Sequence, residues 1–355
     1  MDYPVWWLSS AGTHQEVPSE GSADDRAART LISKHRARRW ASLILLLAGL
    51  AGCGISVQQP NTFGVSCAGS STAAPNAAVR AIPAHVVHTA TATLALIPVC
   101  LSGQGPYPFI LDTGAAHSLV ERSLADRLHL AMTGEKAHAT GVACTAMAEQ
   151  VQVANWSVGQ VALRAQTLTS LSLNGSPGGP GIAGLLGSDV WSRFGQFRLD
   201  YRAGRLTLPG PEQAVAPTVV PDPATGAVPM KVVHSDKETL ALVPVSFDGH
   251  DPMMFVLDTG SSTSVVDRAV AQRLSLPPIG QAQHVTGVSC GTTTQPVHVD
   301  SWRVGAVPLP AQNLDGIALA IPGLNGLLGS DVLYRFGTIT VDYAGGRLML
   351  EGAVS

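Results

Sequence analysis

Charged residues are scarce in this 355-residue chain: they make up 13% of it, against about 25% in an average soluble domain. Glycine and proline are plentiful, at 37 and 24 residues. This composition disfavours long charged helices and favours short strands joined by turns, so we expect an all-β architecture. The formal net charge of -3 leaves no excess of basic residues to face a phosphate backbone, and we expect no nucleic-acid partner.

The N-terminal region lacks a hydrophobic run long enough to cross a membrane as an ordinary helix. Its apolar segment from Ala41 to Gly52 is too short to span about 30 Å of hydrocarbon. The segment follows the basic residues 34–39 and ends in small residues before Cys53, a pattern that resembles the lipobox of bacterial lipoproteins. We therefore expect residues 1–52 to be an N-terminal extension and signal peptide, with a lipid on Cys53. The alternative is an uncleaved signal anchor, and both interpretations place the remainder outside the cytoplasm, anchored to the cell membrane.

The most informative pattern is an internal repeat. An apolar run ending in Asp-Thr-Gly occurs at Phe109–Gly114 and again at Phe255–Gly260. The same further segments then follow in both halves: a short helical Ala-x-Arg-Leu, a His-x-Thr-Gly-Val-x-Cys segment, a Trp-x-Val-Gly turn, a Gly-Leu-Leu-Gly-Ser-Asp motif and a strand ending in Asp-Tyr. One Asp-Thr-Gly would mean little, but two in matched surroundings suggest two carboxylates brought face to face.

The repeat also defines the expected domains. Two homologous lobes should span residues 91–210 and 238–355. Between them, segment 211–237 is rich in proline and alanine and is predicted to be a linker. Segment 53–90 is rich in small and polar residues and is predicted to be a tether. Its two histidines lack the acidic or cysteine partners of a metal site, so we expect no metal there.

Two Asp-Thr-Gly triplets in register with two Gly-Leu-Leu-Gly motifs resemble the pepsin and retropepsin-like superfamily of aspartic peptidases. A lone triplet is a weak signal because similar triplets occur in phosphate-binding loops of ATPases, but the Gly-x-x-x-x-Gly-Lys-[Ser/Thr] loop is absent from this sequence. The resemblance covers both lobes. It implies an all-β, bilobal pepsin/retropepsin-like fold, in which two homologous β-barrel lobes enclose an active-site cleft. It also implies a monomer, because both half-sites lie in one chain.

In that family the two triplet aspartates, here Asp112 and Asp258, hold a water molecule between them. Two carboxyls about 3 Å apart cannot both ionise cheaply, so they share a proton and titrate as a unit. The resemblance implies that the pair deprotonates the water for attack on a peptide carbonyl and protonates the leaving nitrogen. This chemistry needs no cofactor and no metal. The open alternative is an inactive pair in a correctly folded protein.

Other triplet residues take supporting roles by the same resemblance. Thr113 and Thr259 are expected to hydrogen-bond across the lobe boundary, while Gly114 and Gly260 would let the substrate backbone approach. Ser261 follows the second triplet, whereas an alanine follows the first. In pepsin-like lobes that hydroxyl donates to the catalytic carboxylate. Because losing a donor to the anion raises the pKa of the carboxyl, we expect activity at milder acidity than in a digestive pepsin.

The His-x-Thr-Gly-Val-x-Cys segments fall where a retropepsin flap would lie. A flap is a hairpin that closes over the substrate and binds it as an added strand. Thr140 and Gly141 in lobe 1, and Thr286 and Gly287 in lobe 2, suit the turns of such hairpins. The alternative is a pair of ordinary surface hairpins.

Four cysteines besides Cys53 allow three pairings in an oxidising environment. Cys144 and Cys290 occupy equivalent positions of the two predicted flaps, so the pseudo-twofold axis could bring them together over the cleft. We hypothesise a disulfide between them that limits flap opening, against the alternative of free or otherwise paired thiols. The other two cysteines are Cys67 and Cys100.

The sequence therefore predicts an aspartic endopeptidase that is tethered to the membrane outside the cytoplasm and acts on peptide or protein substrates. The alternative from another class is a catalytically inactive lipoprotein that binds a peptide or protein in the same cleft. A structural protein of the cell envelope is a third interpretation, which would need neither aspartate.

Overall fold

The computed structural model describes residues 47–48, 63–67, 80–90, 92–142, 145–173, 181–210, 227–234, 238–287 and 291–352. All of them belong to one compact unit that begins at residue 42. None of the helices in these ranges has both the length and the apolar character needed to cross a membrane.

Strands dominate the described residues, and the helices are short. In chain order the strands are β1 Leu47–Ala48, β2 Arg80–Pro83, β3 His85–His88, β4 Thr93–Leu101, β5 Gln104–Leu111, β6 Leu119–Glu121, β7 Ala131–Thr140, β8 Thr145–Val153, β9 Trp156–Val158, β10 Val161–Leu163, β11 Gln166–Leu171, β12 Gly184–Leu186, β13 Gln196–Asp200, β14 Arg205–Leu208, β15 Ala227–Pro229, β16 Lys231–His234, β17 Thr239–Phe247, β18 Met253–Asp258, β19 Val265–Asp267, β20 Gln283–Gly287, β21 Gly291–Val299, β22 Trp302–Val304, β23 Val307–Leu309, β24 Gln312–Ile317, β25 Gly326–Gly329, β26 Thr338–Asp342 and β27 Arg347–Glu351. The α-helices are α1 Arg122–Arg127, α2 Ser188–Trp191, α3 Arg268–Arg273 and α4 Ser330–Leu333, and 3₁₀ turns follow α2 and α4 at Ser192–Phe194 and Tyr334–Phe336.

Each half of the repeat builds its own sheet. Strands β3 to β12 form the ten-stranded sheet of lobe 1, while β16 to β25, together with β1, form the eleven-stranded sheet of lobe 2. Strand β1 lies in the predicted signal peptide and pairs with β20. The bilobal all-β fold predicted from the sequence is confirmed.

The same crossing of three strands places the Asp-Thr-Gly triplet in each lobe. In lobe 1, β12 runs parallel to β5 and antiparallel to β6, so that Leu185 pairs with Ile110 on one side and with Leu119 on the other. In lobe 2, β25 is parallel to β18 and antiparallel to β19, with Leu327 between Val256 and Val265. The Gly-Leu-Leu-Gly motif therefore supplies the strand that pairs with the strand before each triplet.

A third sheet joins the lobes. Its six strands lie in the order β15-β27-β26-β13-β14-β2, three from each half of the chain. At its centre β13 and β26 are antiparallel, with Leu199 opposite Ile339, and both of these side chains are fully buried. Because backbone hydrogen bonds run continuously from one half to the other, the relative position of the lobes is fixed by a sheet rather than by side chains alone.

Paired strands also occur in the segments that precede each predicted lobe. Strands β2 and β3 lie within segment 53–90, which was expected to be a tether, and β15 and β16 lie within 211–237, expected to be a linker. The physical reason is local: the Val-Val steps in β3 and β16 suit extended backbone, and β4 and β17 each offer an edge to pair with. The two histidines of the predicted tether are the ends of β3. Among the described residues no group of three or more His, Cys, Asp or Glu side chains is placed to hold a metal ion.

Candidate active site

The two triplet aspartates stand at the ends of equivalent strands. Asp112 follows β5, and its backbone N–H donates to the carbonyl oxygen of Leu186 in β12 at 3.0 Å. Asp258 is the last residue of β18 and pairs with Gly329 of β25. Both side chains are completely buried. The structure thus brings together the two residues that the repeat predicted to meet.

Thr113 and Thr259 exchange hydrogen bonds across the lobe boundary. The backbone N–H of Thr113 donates to Oγ1 of Thr259 at 3.0 Å, and the N–H of Thr259 donates to Oγ1 of Thr113 at 3.1 Å. Each hydroxyl in turn donates to a backbone carbonyl oxygen of the other lobe, at 2.6 Å to Leu257 and at 2.8 Å to Leu111. The predicted cross-lobe bond is therefore a reciprocal set of four, and it aligns the two strand ends that carry the aspartates.

The two triplet glycines allow the carboxyls to approach. A Cβ atom added at Gly114 would lie 2.3 Å from Cγ of Asp258, and one added at Gly260 would lie 2.4 Å from Cγ of Asp112. Any side chain at either position would push the opposite aspartate away. From the sequence we expected these glycines to leave room for the backbone of the substrate. In the structure the carboxyl of the other lobe fills the space beside each glycine.

Backbone N–H groups hold one oxygen of each carboxyl. Oδ1 of Asp112 accepts from the N–H of Ala115 at 2.9 Å, and Oδ1 of Asp258 accepts from those of Gly260 and Ser261 at 3.0 and 2.9 Å. The Ser261 hydroxyl was expected to donate to Asp258 but donates to the carbonyl oxygen of Thr263 at 2.6 Å. A hydroxyl has one proton to donate, so the prediction for Ser261 is corrected: its backbone N–H reaches the carboxylate.

Burial raises the pKa of both aspartates. Desolvation raises the pKa of Asp258 to about 7, while its backbone hydrogen bonds lower it. The pKa of Asp112 lies well above its ordinary value, first because of burial and second because of the negative charge of Asp258. Neither Oδ2 accepts a hydrogen bond from the described residues. Such a pair is stable only if it shares a proton.

Each triplet is also held by a serine and a tyrosine for which the sequence analysis predicted no role. The hydroxyl of Ser188 donates to the carbonyl oxygen of Thr113 at 2.8 Å and is 2.7 Å from the hydroxyl of Tyr343, which comes from the opposite half of the chain. The same arrangement recurs in the second lobe among Thr259, Ser330 and Tyr201. The repeat contained the signal, since Gly-Ser-Asp and Asp-Tyr occur in both halves, but their partners are distant in sequence.

A second repeated network fixes the supporting strands. The hydroxyl of Ser118 donates to Asp189 at 2.7 Å and accepts the backbone N–H of Gly187 at 3.0 Å. In lobe 2 the same contacts join Ser264, Asp331 and Gly329. Each network links the loop after the triplet to the helix after the Gly-Leu-Leu-Gly motif, so the loop that carries the aspartate is held on both sides.

The predicted flap segments form hairpins. Strands β7 and β8 pair up to Thr140, whose hydroxyl is 3.1 Å from that of Thr145, and Gly141 begins the turn. In lobe 2, Thr286 and Gly287 end β20, which pairs with β21. Beyond Gly141 in lobe 1, Val142 is buried in an apolar cluster of lobe 2, and its carbonyl oxygen accepts the N–H of Ala320 at 2.7 Å. The lobe 1 hairpin therefore reaches across to the other lobe.

The disulfide that the structure shows joins Cys67 to Cys100. This bond leaves one of the three possible pairings, the one that also joins Cys144 to Cys290. Both flap cysteines lie outside the described residues, as does the predicted lipidation site Cys53. The flap disulfide and the lipid therefore stay predictions.

Replacing Thr113 by Val tests the cross-lobe bonds. The variant keeps the shape of the side chain but leaves the carbonyl of Leu257 and the N–H of Thr259 buried without their bonds, so we expect a loss of roughly 2 kcal/mol or more in the free energy of unfolding. Thr113→Ser, which keeps the hydroxyl, is the matched control and should lose much less. Urea unfolding measures both, and equal stability of the two variants would contradict the role given to the hydroxyl.

Comparison with solved structures finds proteins of low sequence identity. Basic 7S globulin from soybean is 11% identical, with 78% of this chain and 95% of that chain covered and a TM-score of 0.39. Conglutin gamma, a basic 7S globulin from lupine seeds, is 10% identical, with 78% and 95% covered and a TM-score of 0.40. The protein edgp is 9% identical, with 79% and 96% covered and a TM-score of 0.37.

The sequence comparisons give a family. No curated protein matches the chain at a significant level. The family model described as aspartyl protease matches twice, at residues 97–190 and 243–332. Each match contains one Asp-Thr-Gly triplet and one Gly-Leu-Leu-Gly motif, the elements that build the paired-carboxyl site. The chain belongs to this aspartyl protease family, within the pepsin and retropepsin-like superfamily.

Proposed function

We propose that the chain is an aspartic endopeptidase that hydrolyses peptide bonds in peptide or protein substrates. The observation that carries the proposal is the burial of the two carboxyls of Asp112 and Asp258 at one site, which raises the pKa of each. A structural role does not call for two buried acidic groups together, whereas acid and base catalysis at one site does.

The geometry favours a division of roles within the pair. Both carboxyls accept backbone hydrogen bonds at Oδ1, and the negative charge of Asp258 raises the pKa of Asp112, so the pair holds one proton between its two members. The ionised carboxyl then takes a proton from the attacking water, and the protonated carboxyl donates its proton to the oxygen of the scissile carbonyl as the water adds. The leaving nitrogen receives its proton from the pair when the tetrahedral intermediate breaks down. No covalent intermediate forms in this sequence of steps.

The cellular setting is part of the same proposal. A disulfide between Cys67 and Cys100 supports an oxidising compartment outside the cytoplasm. The segment ending in Cys53 supports a lipoprotein anchored to the cell membrane, with an uncleaved signal anchor as the alternative. Because one chain supplies both aspartates, the proposed enzyme works as a monomer.

Replacing either aspartate by Asn tests the proposed reaction. Asp112→Asn and Asp258→Asn should each lower kcat by at least about 10²-fold, because each variant removes the acid or the base. Asp300→Asn is the control, since that side chain is largely exposed. Cleavage of a peptide library, with and without pepstatin, measures the effect. Peptide binding by the wild type without any cleavage would favour the inactive binding protein instead.

The pH dependence of activity should follow the raised pKa values. The active pair needs one ionised carboxyl, and a pKa of about 7 at Asp258 means that this carboxyl ionises only as the pH approaches neutrality. The activity kcat/KM, measured from about pH 3 to about pH 8, should therefore rise with pH and show an acidic limb well above the ordinary value for aspartate. A maximum near about pH 2 would contradict this.

Ala115→Ser is the matched variant for that profile. In lobe 2 the equivalent hydroxyl donates to the carbonyl oxygen of Thr263, two residues further on. By the same geometry, a serine at position 115 would donate to the carbonyl oxygen of His117. We therefore expect the acidic limb to stay where it is. A shift of the limb toward lower pH would restore the role first expected for this hydroxyl.

The paired carboxyls should also make the fold less stable as the pH rises. Below about pH 4 the group is protonated in both the folded and the unfolded chain, so it imposes no penalty. Between there and about pH 7 the unfolded chain ionises Asp258 while the folded chain holds the proton, which costs about 1.4 kcal/mol per pKa unit. The melting temperature of Asp258→Asn should therefore exceed that of the wild type by an amount that grows as the pH rises to neutrality. A melting difference that does not change with pH would contradict this.

A further inference from the structure

The two lobes differ in how their first long strand is covered. In lobe 1 every residue of β4 is buried, whereas in β17, its equivalent in lobe 2, buried residues alternate with half-buried ones. One face of each strand packs into the main core, so the difference lies on the outer face. In lobe 1 a segment from outside the lobe packs on the outer face of β4.

The cover includes the segment Phe63–Cys67. Phe63 and Cys67 are buried and Val65 is half-buried, while the two residues between them are exposed, so alternate side chains face the lobe. Phe63 and Val65 belong to an apolar cluster formed by Leu94, Leu96, Ile110, Ala115, Leu119 and Leu185, with further small and aliphatic side chains. The disulfide from Cys67 to Cys100 near the end of β4 fixes the segment to the lobe.

This outer face is the wall beside the catalytic carboxyl. Ile110 lies near the end of β5, two residues before Asp112, which directly follows that strand. Leu96, Ile110, Leu185 and Leu119 are paired in register, which makes one apolar row across the sheet at that level. Ala115 of the same cluster donates its N–H to Asp112. The cluster that buries Phe63 therefore adjoins the site.

Lobe 2 shows the same wall with a different occupant. The repeat equivalents of Ile110, Leu119 and Leu185 are Val256, Val265 and Leu327, and these three pack with Val142. Val142 belongs to the hairpin of lobe 1, not to lobe 2. In both lobes, then, the apolar wall beside the aspartate receives a side chain from a segment outside that lobe, aromatic in lobe 1 and smaller in lobe 2.

We propose that Phe63–Cys67, held by its disulfide, is an intramolecular plug of the lobe 1 subsite that this apolar wall forms. This inference rests on the proposed function and adds a control to it. The tether keeps Phe63 at high effective concentration, so a substrate must compete with it. Releasing the tether or removing the phenyl ring opens the subsite.

The test measures peptide binding, so that it does not depend on catalysis. The probe is a fluorescent peptide with a non-cleavable reduced amide flanked by phenylalanines, titrated by anisotropy into the full chain. Phe63→Ala should lower its Kd by at least about tenfold, because the ring no longer competes for the apolar wall. The double variant Cys67→Ser with Cys100→Ser should do the same while keeping the other cysteines. For a peptide with aspartates in place of the phenylalanines, the same variants should not lower the Kd.

A control variant lies in the same segment. Ser66→Ala changes an exposed residue of the same segment and should leave the Kd of the probe unchanged. If Phe63 only fills the fold, Phe63→Ala lowers the melting temperature while probe binding stays the same or weakens, and the proposal is overturned. If Phe63→Ala binds the probe more tightly but no variant cleaves peptides, the plug is supported and the peptidase is refuted. If the protein cleaves peptides but Phe63→Ala binds the probe as the wild type does, the peptidase is supported and the plug is refuted.

Discussion

The hydrogen bonds exchanged by Thr113 and Thr259 are the constraint on which the active site depends. They run between backbone and side chain in both directions, so neither lobe can shift without breaking bonds that are buried away from water. With the strand ends held in this way, each triplet glycine lies against the carboxyl of the other lobe. The backbone of both lobes therefore sets the position of each aspartate relative to the other.

That arrangement is unfavourable in itself, and the surrounding structure maintains it. Burial raises the pKa of both carboxyls, and the negative charge of Asp258 raises that of Asp112 further, so the fold loses stability as the pH rises toward neutrality. The repeated contacts between a serine and a tyrosine of opposite halves, and a six-stranded sheet shared by both lobes, oppose any separation. Tyr343 and Tyr201 reach across from the closing strand of one half to the serine of the other, so each lobe supports the triplet of its partner.

The copies of the repeat are alike in backbone and unlike in what covers them. Ser261 and Ala115 both offer a backbone N–H to the adjacent aspartate, so a substitution that looked important in the sequence changes little in the bonds to the carboxyls. The outer walls differ more, because Phe63 covers one and Val142 the other. Asymmetry between the half-sites thus lies mainly in the apolar walls where substrate side chains would bind.

The sequence alone determined that the chain folds into two homologous lobes and which two aspartates are paired. These follow from local patterns that occur twice, because a buried strand, a triplet and a supporting strand each have a signature in a few consecutive residues. Only the tertiary structure decided that the Ser261 hydroxyl turns to Thr263, that each glycine faces the opposite carboxyl and that Phe63 lies in the wall beside Asp112. Those contacts depend on how segments far apart in the chain pack and on which donors geometry allows to reach an acceptor, and no short stretch of residues encodes that.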